Sequence, residues 1–524
     1  MFNWIKRKIK FTQMKNKQLD IPDHPVSSKL QDNIDYLKQL FENSSDIVFR
    51  SFSVGKRQEI DAFLVAIDGM YDKTPIHENV IKPLMNIDFQ SINQIQMVTY
   101  FEKSLISIFS LKQEHSIENG IAHLMKGDVL LFIDGLKKVY VLGTRAWEMR
   151  SIEEPITETT IRGPREGFVE TLRTNTSMLR RKLGHPKLQI QQMVLGRMSQ
   201  TEIAVAYIEG IAPPEILQEV KRRLISIEMD NVLESGILEE FIEDAPFSPF
   251  PTVANTERPD VAAARLLEGR VAILIDGSPM ALIVPHLLFE SFQSSEDYYS
   301  RPYYSSFLRM LRLFGFLVTT LAPATYTALQ DYHKEMFPAE LLVSVASSRE
   351  GVPLPLVLEL LLMLIVFEWL REAVIRMPRP VGQTVSIVGA LVLGESAVNA
   401  GIVGAPTIIV VAVSAITGFL VTALSDVAAV LRFFYLIVGS IFGVYGIMLV
   451  ICATLLHLAS LRSFGIPYMA PLMPITWSDW KDFFIRAPMW ALNRRPEALR
   501  VTDEIRQSDG MQPQPPVKKS KRKN

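Results

Sequence analysis

Cysteine is nearly missing from this 524-residue chain. The single one, Cys452, sits in an apolar run, so neither an intrachain disulfide nor a thiolate metal centre can form. Histidine is sparse as well. The eight residues His24, His77, His115, His123, His185, His286, His333 and His457 are scattered without metal-ligand spacing. No GxxxxGK[ST], HExxH or GxSxG string occurs. No phosphate loop, zincin or nucleophile elbow is therefore expected, and with them no enzyme activity, metal or cofactor. A net charge of -1 makes no electrostatic case for nucleic acid. The basic start, Met1 to Lys10, is not followed by an apolar stretch and does not read as a secretory signal. The domain that follows is expected to stay cytoplasmic.

What is present is a partition. The charged share of 21% averages two unlike halves: residues 1–306 are rich in Lys, Arg, Asp and Glu, while 307–460 hold long apolar runs. The expected organisation is a basic flexible arm over 1–30 that touches lipid or solvent, an α/β subdomain over 31–160, a related one over 161–290, a transmembrane helical domain over 300–460, and a basic cytoplasmic tail over 461–524. The fold class is thus a duplicated α/β (α+β) soluble domain followed by a multispan helical membrane domain.

The duplication is read from three ordered matches. Ile60–Gly69 (IDAFLVAIDG) resembles Glu202–Gly210 (EIAVAYIEG), with the acid-Gly pairs offset by 141 (209 − 68). Leu84–Asp88 resembles Leu224–Glu228 at 140 (227 − 87), and Gly127–Gly135 (GDVLLFIDG) resembles Gly269–Gly277 (GRVAILIDG) at 142 (276 − 134). Each copy reads as a buried strand ending in acid-Gly, a helical stretch such as Pro214 to Ile225, then strand, Asp-Gly turn and strand, in a mixed sheet. Asp68, Asp134, Glu209 and Asp276 are read as turn residues rather than metal ligands. Arg162, Arg165 and Glu166, with Glu257, Arg258 and Asp260, form Arg-rich polar segments suited to inter-subdomain salt bridges or to an anionic ligand.

Five apolar runs approach the ~20 residues a bilayer span needs: Phe307–Leu329, Val352–Leu370, Thr384–Ala400, Pro406–Leu424 and Phe433–Leu458. Arg301, Arg309 and Arg312 place the start of the first run on the cytoplasmic side. Five crossings would strand the basic tail outside, so an even number, four or six, is expected; the second run carries Glu359, and the fifth, with Gly439, Gly443 and Gly446, is a candidate for a break. The third run gathers small and polar residues on one face: Ser386, Gly389, Gly394, Glu395, Ser396 and Asn399. An intramembrane acid such as Glu395 normally faces a bundle interior or a water-filled path. That face reads either as the lining of a cation pathway or as ordinary helix packing with Glu395 near the interface.

Several stretches together resemble the A subunit of bacterial spore germinant receptors, the GerA family, over about residues 40 to 480. They are Ile161–Glu170 (IRGPREGFVE), Thr174–Lys182 (TNTSMLRRK), Thr256–Asp260 (TERPD), Glu268–Gly277 (EGRVAILIDG), Tyr326–Met336 (YTALQDYHKEM), Ser347–Pro353 (SSREGVP) and Gly382–Gly394 (GQTVSIVGALVLG). Glu395 stands where glutamine is expected in many relatives. The resemblance implies a subunit of the spore inner membrane that acts with a transporter-like B subunit and a lipoprotein C subunit. It also implies a homo-oligomer forming a ligand-gated cation channel that triggers germination. The alternative is a non-conducting membrane scaffold that assembles the B and C subunits.

Overall fold

The computed structural model describes residues 23–58, 60–87, 111–146, 155, 158, 160–378, 394–508 and 510–513. Residues 1–22 of the expected arm and 514–524 of the tail lie outside the described residues. The repeat is realised as two copies of one sheet. The first copy comprises helix α1 (Leu30–Leu40), strands β1 (Ile47–Val54), β2 (Ile60–Ile67) and β3 (Leu111–Glu114), helix α2 (Ile117–Leu124), and strands β4 (Val129–Ile133) and β5 (Val139–Leu142). The second comprises α3 (Leu172–Lys182), β6 (Leu188–Leu195), β7 (Thr201–Ile208), α4 (Pro214–Ile225), β8 (Ala254–Thr256), α5 (Pro259–Leu267), β9 (Val271–Ile275) and β10 (Ala281–Val284). The strand orders, β1-β2-β4-β5-β3 and β6-β7-β9-β10-β8, are the same order in each copy. Every described pairing is antiparallel, which corrects the mixed sheet expected from the sequence. Short hairpins join β1 to β2 and β4 to β5, and short connections force antiparallel neighbours.

The central strands β4 (VLLFI) and β9 (VAILI) are buried throughout, as continuous apolar runs at a sheet centre demand. Each ends in the expected Asp-Gly turn, but only the glycines, Gly135 (φ +83°) and Gly277 (φ +87°), take positive φ. A type I′ turn needs it at both central residues, so the expected turn type is not formed. The aspartates serve another purpose. Asp134 accepts the Leu30 N–H at 3.0 Å and Asp276 the Leu172 N–H at 2.9 Å, so each caps the first turn of the helix that opens its own copy. Asn33 and Asn175 repeat this equivalence: both bind the backbone six residues upstream through oxygen and nitrogen.

The two copies join through α3. Arg180, fully buried, pairs with Asp46 at 2.7 Å and 2.8 Å and donates to the Ser44 hydroxyl and the Leu188 carbonyl. Ser45 N–H donates to the Ile190 carbonyl at 2.8 Å, and Arg173 reaches Asp68 at 2.6 Å. Gly69 is needed where α3 crosses, because a Cβ there would come within 3.3 Å of Arg173 and Ser177.

The chain divides into two compact units. The first holds the described residues of Met1–Glu243, Val253–Pro285 and Arg495–Arg506; the second holds those of Asp244–Thr252, His286–Arg494 and Gln507–Asn524. The stretch after 460, expected as a tail, is therefore folded through Arg506.

The second unit is helical, built on α6 (Pro302–Tyr332), α7 (Leu356–Arg376), α8 (Ala405–Gly418) and α9 (Ser425–Ser460). Among the described residues, two helices, Pro302–Tyr332 and Thr422–Ser460, are long and apolar enough to cross a membrane. That is fewer than the expected runs. Helix α7 carries Glu359, Glu368, Arg371, Glu372 and Arg376, and α8 has only 14 residues. Helix α9 is not continuous: Gly443 adopts φ 62°, ψ −152°, a conformation open essentially to glycine alone. The two arms fold back on each other. Tyr435 and Thr454 hydroxyls meet at 3.1 Å, although 19 residues of straight helix would put them about 28 Å apart. Gly439 and Gly446 permit the approach, since a Cβ would come within 3.1 Å of Ile447 at the first and 3.0 Å of the Val438 carbonyl at the second.

The Arg180–Asp46 pair supports the prediction for this half of the chain. Removing one partner of a buried pair strands the other charge, at a cost of about 3–5 kcal/mol. Arg180→Ala and Asp46→Ala are each expected to lower the stability of the soluble unit by about that much in urea titrations of the purified chain. The double variant is expected to cost clearly less than the sum. Strict additivity would mean that the pair is not coupled.

Candidate functional site

The polar face proposed from the third run is only partly within view. Ser386 and Gly389 lie outside the described residues. Gly394 opens a short helix, Gly394–Asn399, and rests 3.9 Å from Ile408, measured from its Cβ position. Glu395, Ser396 and Asn399 on that helix are exposed. The described part of the run thus presents its polar residues outward rather than into the bundle.

The bundle interior is polar through other residues. Glu359 is fully buried on α7. It accepts from Arg349 at 2.7 Å, from the Gly404 N–H at 3.0 Å and from the Thr407 hydroxyl at 3.0 Å. Three donors satisfy one carboxylate, which is how an ion survives burial. They also clamp the first turn of α7 to the N-terminus of α8. Arg432, 2% exposed on the first arm of α9, pairs with Glu368 of α7 and lies over the rings of Phe367 and Phe433. Thr319 and Thr417 hydroxyls meet at 2.8 Å, and Ser414 donates to the Thr319 carbonyl at 2.8 Å, tying α6 to α8. Tyr332, at the end of α6, donates to the carbonyls of Ser440 (2.7 Å) and Ile441 (3.0 Å), groups that the break at Gly443 leaves without a helical partner. A cavity of about 590 Å³ opens between the C-terminal halves of α7 and α8 and the start of α9, with Arg371, Asp426 and Arg432 in its wall.

Sequence reasoning singled out none of these pairs. The signal was available: Arg432 and Glu368 interrupt apolar runs, and charges in such runs are paired or functional. Pairing across 64 positions, however, is not visible in one sequence.

Contacts of the Arg-rich candidates of the soluble unit gather around the stretch that leads into α3. Arg258, 1% exposed, donates to the Thr160 hydroxyl (3.0 Å), the Pro164 carbonyl (3.0 Å) and Asp260 (2.9 Å). Glu257 accepts the Phe168 N–H at 2.7 Å through its carbonyl and is buried. Burial raises the pKa of the neighbouring Glu158 carboxyl, although the Thr256 hydroxyl and Glu257 N–H partly offset it. Glu166 binds Arg181 at 2.8 Å and Lys182 at 2.6 Å. Burial works against its ionisation, but those two cations outweigh it and lower its pKa. Arg162 and Arg165 are exposed. The joint between subdomains belongs instead to Arg180, Arg173, Asp46 and Asp68.

Glu359 carries the prediction here. Glu359→Ala leaves Arg349, the Gly404 N–H and Thr407 without their acceptor, and about 3 kcal/mol or more of stability is expected to be lost. The aggregation temperature of the detergent-solubilised chain should fall by several degrees, and Thr407→Val should cost less. An unchanged temperature for Glu359→Ala would show that the clamp does not hold α7 to α8.

The model of the family described as Bacillus/Clostridium GerA spore germination protein matches residues 35–498. Spore germination protein KA of Bacillus subtilis (strain 168) is 43% identical over 493 residues, covering 94% of this chain and 90% of the relative. Spore germination protein GerLA of Bacillus cereus is 42% identical over 442 residues, covering 84% and 89%. The crystal structure of the N-terminal domain of the A subunit of the Bacillus megaterium spore germinant receptor GerK3 is 33% identical. It covers 51% of this chain and 99% of that one, with a TM-score of 0.42. With the family match and both relatives spanning most of its length, this chain belongs to the GerA family of spore germination proteins.

Proposed function

We propose that the chain is the A subunit of a nutrient germinant receptor in the spore inner membrane. Copies of it assemble around a ligand-gated cation channel whose opening starts germination, with a transporter-like B subunit and a lipoprotein C subunit as partners. The observation that carries the channel reading is the outward placement of Glu395, Ser396 and Asn399. Three charges in the bundle interior, Glu359, Glu368 and Arg432, find partners inside it. An acid facing lipid at the centre of a membrane helix would cost ~2.5–3.5 kcal/mol on insertion scales. A water path shared between copies removes that cost and supplies a carboxylate ring of the kind cation pores use.

Helix directions support a membrane domain with both ends on one side. Gly315 faces Leu420, and Thr319 meets Thr417 and Ser414, so α6 and α8 are antiparallel. The N-termini of α7 and α8 meet at Glu359, so those two run in the same direction. Gly439 lies 3.3 Å from Ala324 and Gly443 lies 3.1 Å from Tyr332, measured from the Cβ position, so the first arm of α9 follows α6 and the second arm comes back. An even number of crossings, four or six, leaves the soluble unit and the C-terminus together on the cytoplasmic side.

Potassium release from spores carrying the wild-type chain, Glu395→Gln or Gly389→Leu tests this reading, with receptor abundance measured in parallel. A changed rate or nutrient threshold at equal abundance is the expected result. Efflux that follows abundance alone would favour a non-conducting scaffold for the B and C subunits.

A further inference from the structure

We infer that residues 473–490 form an interfacial membrane anchor, a collar of loop and short 3-10 turns that seats in the headgroup region of the bilayer beside the first turns of α6. This inference rests on the reading of α6 as a membrane crossing.

The segment is held rigidly at a defined height. Asp482 accepts from Arg309 of α6 at 2.8 Å, and the Arg486 N–H donates to the Ser306 hydroxyl at 3.0 Å. Arg309 also pairs with the fully buried Asp297 at 3.0 Å, and Asp297 takes Arg312 at 2.9 Å and 3.0 Å. Phe483 is buried against Phe289, with ring centroids 4.3 Å apart. The Pro-rich, irregular backbone is thus fixed to the point where the apolar stretch of α6 begins.

From that fixed base the segment points large apolar side chains outward. Trp477 is 73% exposed, Ile485 66% and Ile475 56%; Met473, Met489 and Trp490 are exposed beside them. A chain that can bury Phe483 and leaves Trp477 out is not short of core, and so dense an exposed apolar group marks a contact surface. Its composition names the occupant. Tryptophan prefers the membrane–water interface, where its ring is half solvated and its N–H finds a partner. The hydrogen bond from the Arg486 N–H to Ser306 ties the segment to the first turns of α6, where Tyr303, Tyr304 and Phe307 are also exposed. Lys481 and Arg494 are also exposed or partly exposed nearby, a charge suited to phosphate headgroups. The occupant is therefore lipid, not solvent.

Spin labels test this in the full chain, made cysteine-free by Cys452→Ser and reconstituted in phosphatidylglycerol-containing vesicles. Single cysteines are placed at Trp477, Ile485, Phe314 of α6 and Arg197 of the soluble unit. Collision with oxygen, which concentrates in lipid, is compared with collision with a water-soluble nickel chelate. Positions 477 and 485 are expected to fall between 314 (deep in lipid) and 197 (in water), with oxygen collision exceeding that at 197. If 477 and 485 match 197 while 314 reads as lipid, the collar is wrong and the crossing stands. If 314 also reads as water, the crossing reading fails first. Low collision with both reagents at 477 and 485 would mean that protein covers the patch, and would overturn the lipid assignment.

Discussion

A helix that reaches Gly443 cannot continue as a helix. At φ 62° and ψ −152° the backbone reverses, and every other contact of the last apolar run follows from that reversal. Tyr435 can meet Thr454 only because the arms are antiparallel. Tyr332 can satisfy the carbonyls of Ser440 and Ile441 only because the break frees them. Gly439 and Gly446 then become requirements, since any side chain there would push the arms apart. One continuous 36-residue helix would extend about 54 Å, whereas the two arms return the chain to the level from which α9 starts.

The second constraint is charge in an apolar setting. Glu359 and Arg432 are both buried, and an unpaired ion there would cost several kcal/mol. Each is answered by a partner from another part of the unit: Arg349 for Glu359, and Glu368 for Arg432. These pairs fix how α7 lies against α8 and α9, so they act as registration marks more than as net stabilisers. Glu395, by contrast with these buried pairs, faces outward, and it is the residue on which the channel proposal turns.

Much of the soluble unit was legible because strands and turns are local. The offsets near 141 marked two copies, and the buried runs IDAFLVAI and TEIAVAYI became equivalent strands β2 and β7. The role of Asp134 and Asp276 was not legible. They look like turn residues, yet their carboxylates act 104 positions upstream, and a single sequence carries no record of such pairing. The same limit hid Arg180 with Asp46 and Arg432 with Glu368. It also left the partners of Arg258 unread, since Thr160 and Pro164 lie more than 90 positions upstream. In the helical unit, Gly439, Gly443 and Gly446 marked the fifth run as a candidate for a break, and the break falls at Gly443. That the two arms fold back on each other was not legible, because it rests on contacts such as Tyr435 with Thr454. The expected tail proved to be structure because Arg309 binds Asp482, a contact 173 positions apart.

The reversal at Gly443 is open to direct measurement. Spin labels at the exposed positions Val430 and Leu456, in a Cys452→Ser background, would report their separation by pulsed dipolar spectroscopy in reconstituted membranes. A continuous helix puts 26 residues between them, about 39 Å. Two packed antiparallel arms put the helix axes 8–10 Å apart, and the labels within about 20 Å. The shorter distance is predicted. A distance near 39 Å would contradict the hairpin, and with it the support it lends to the proposed even number of crossings.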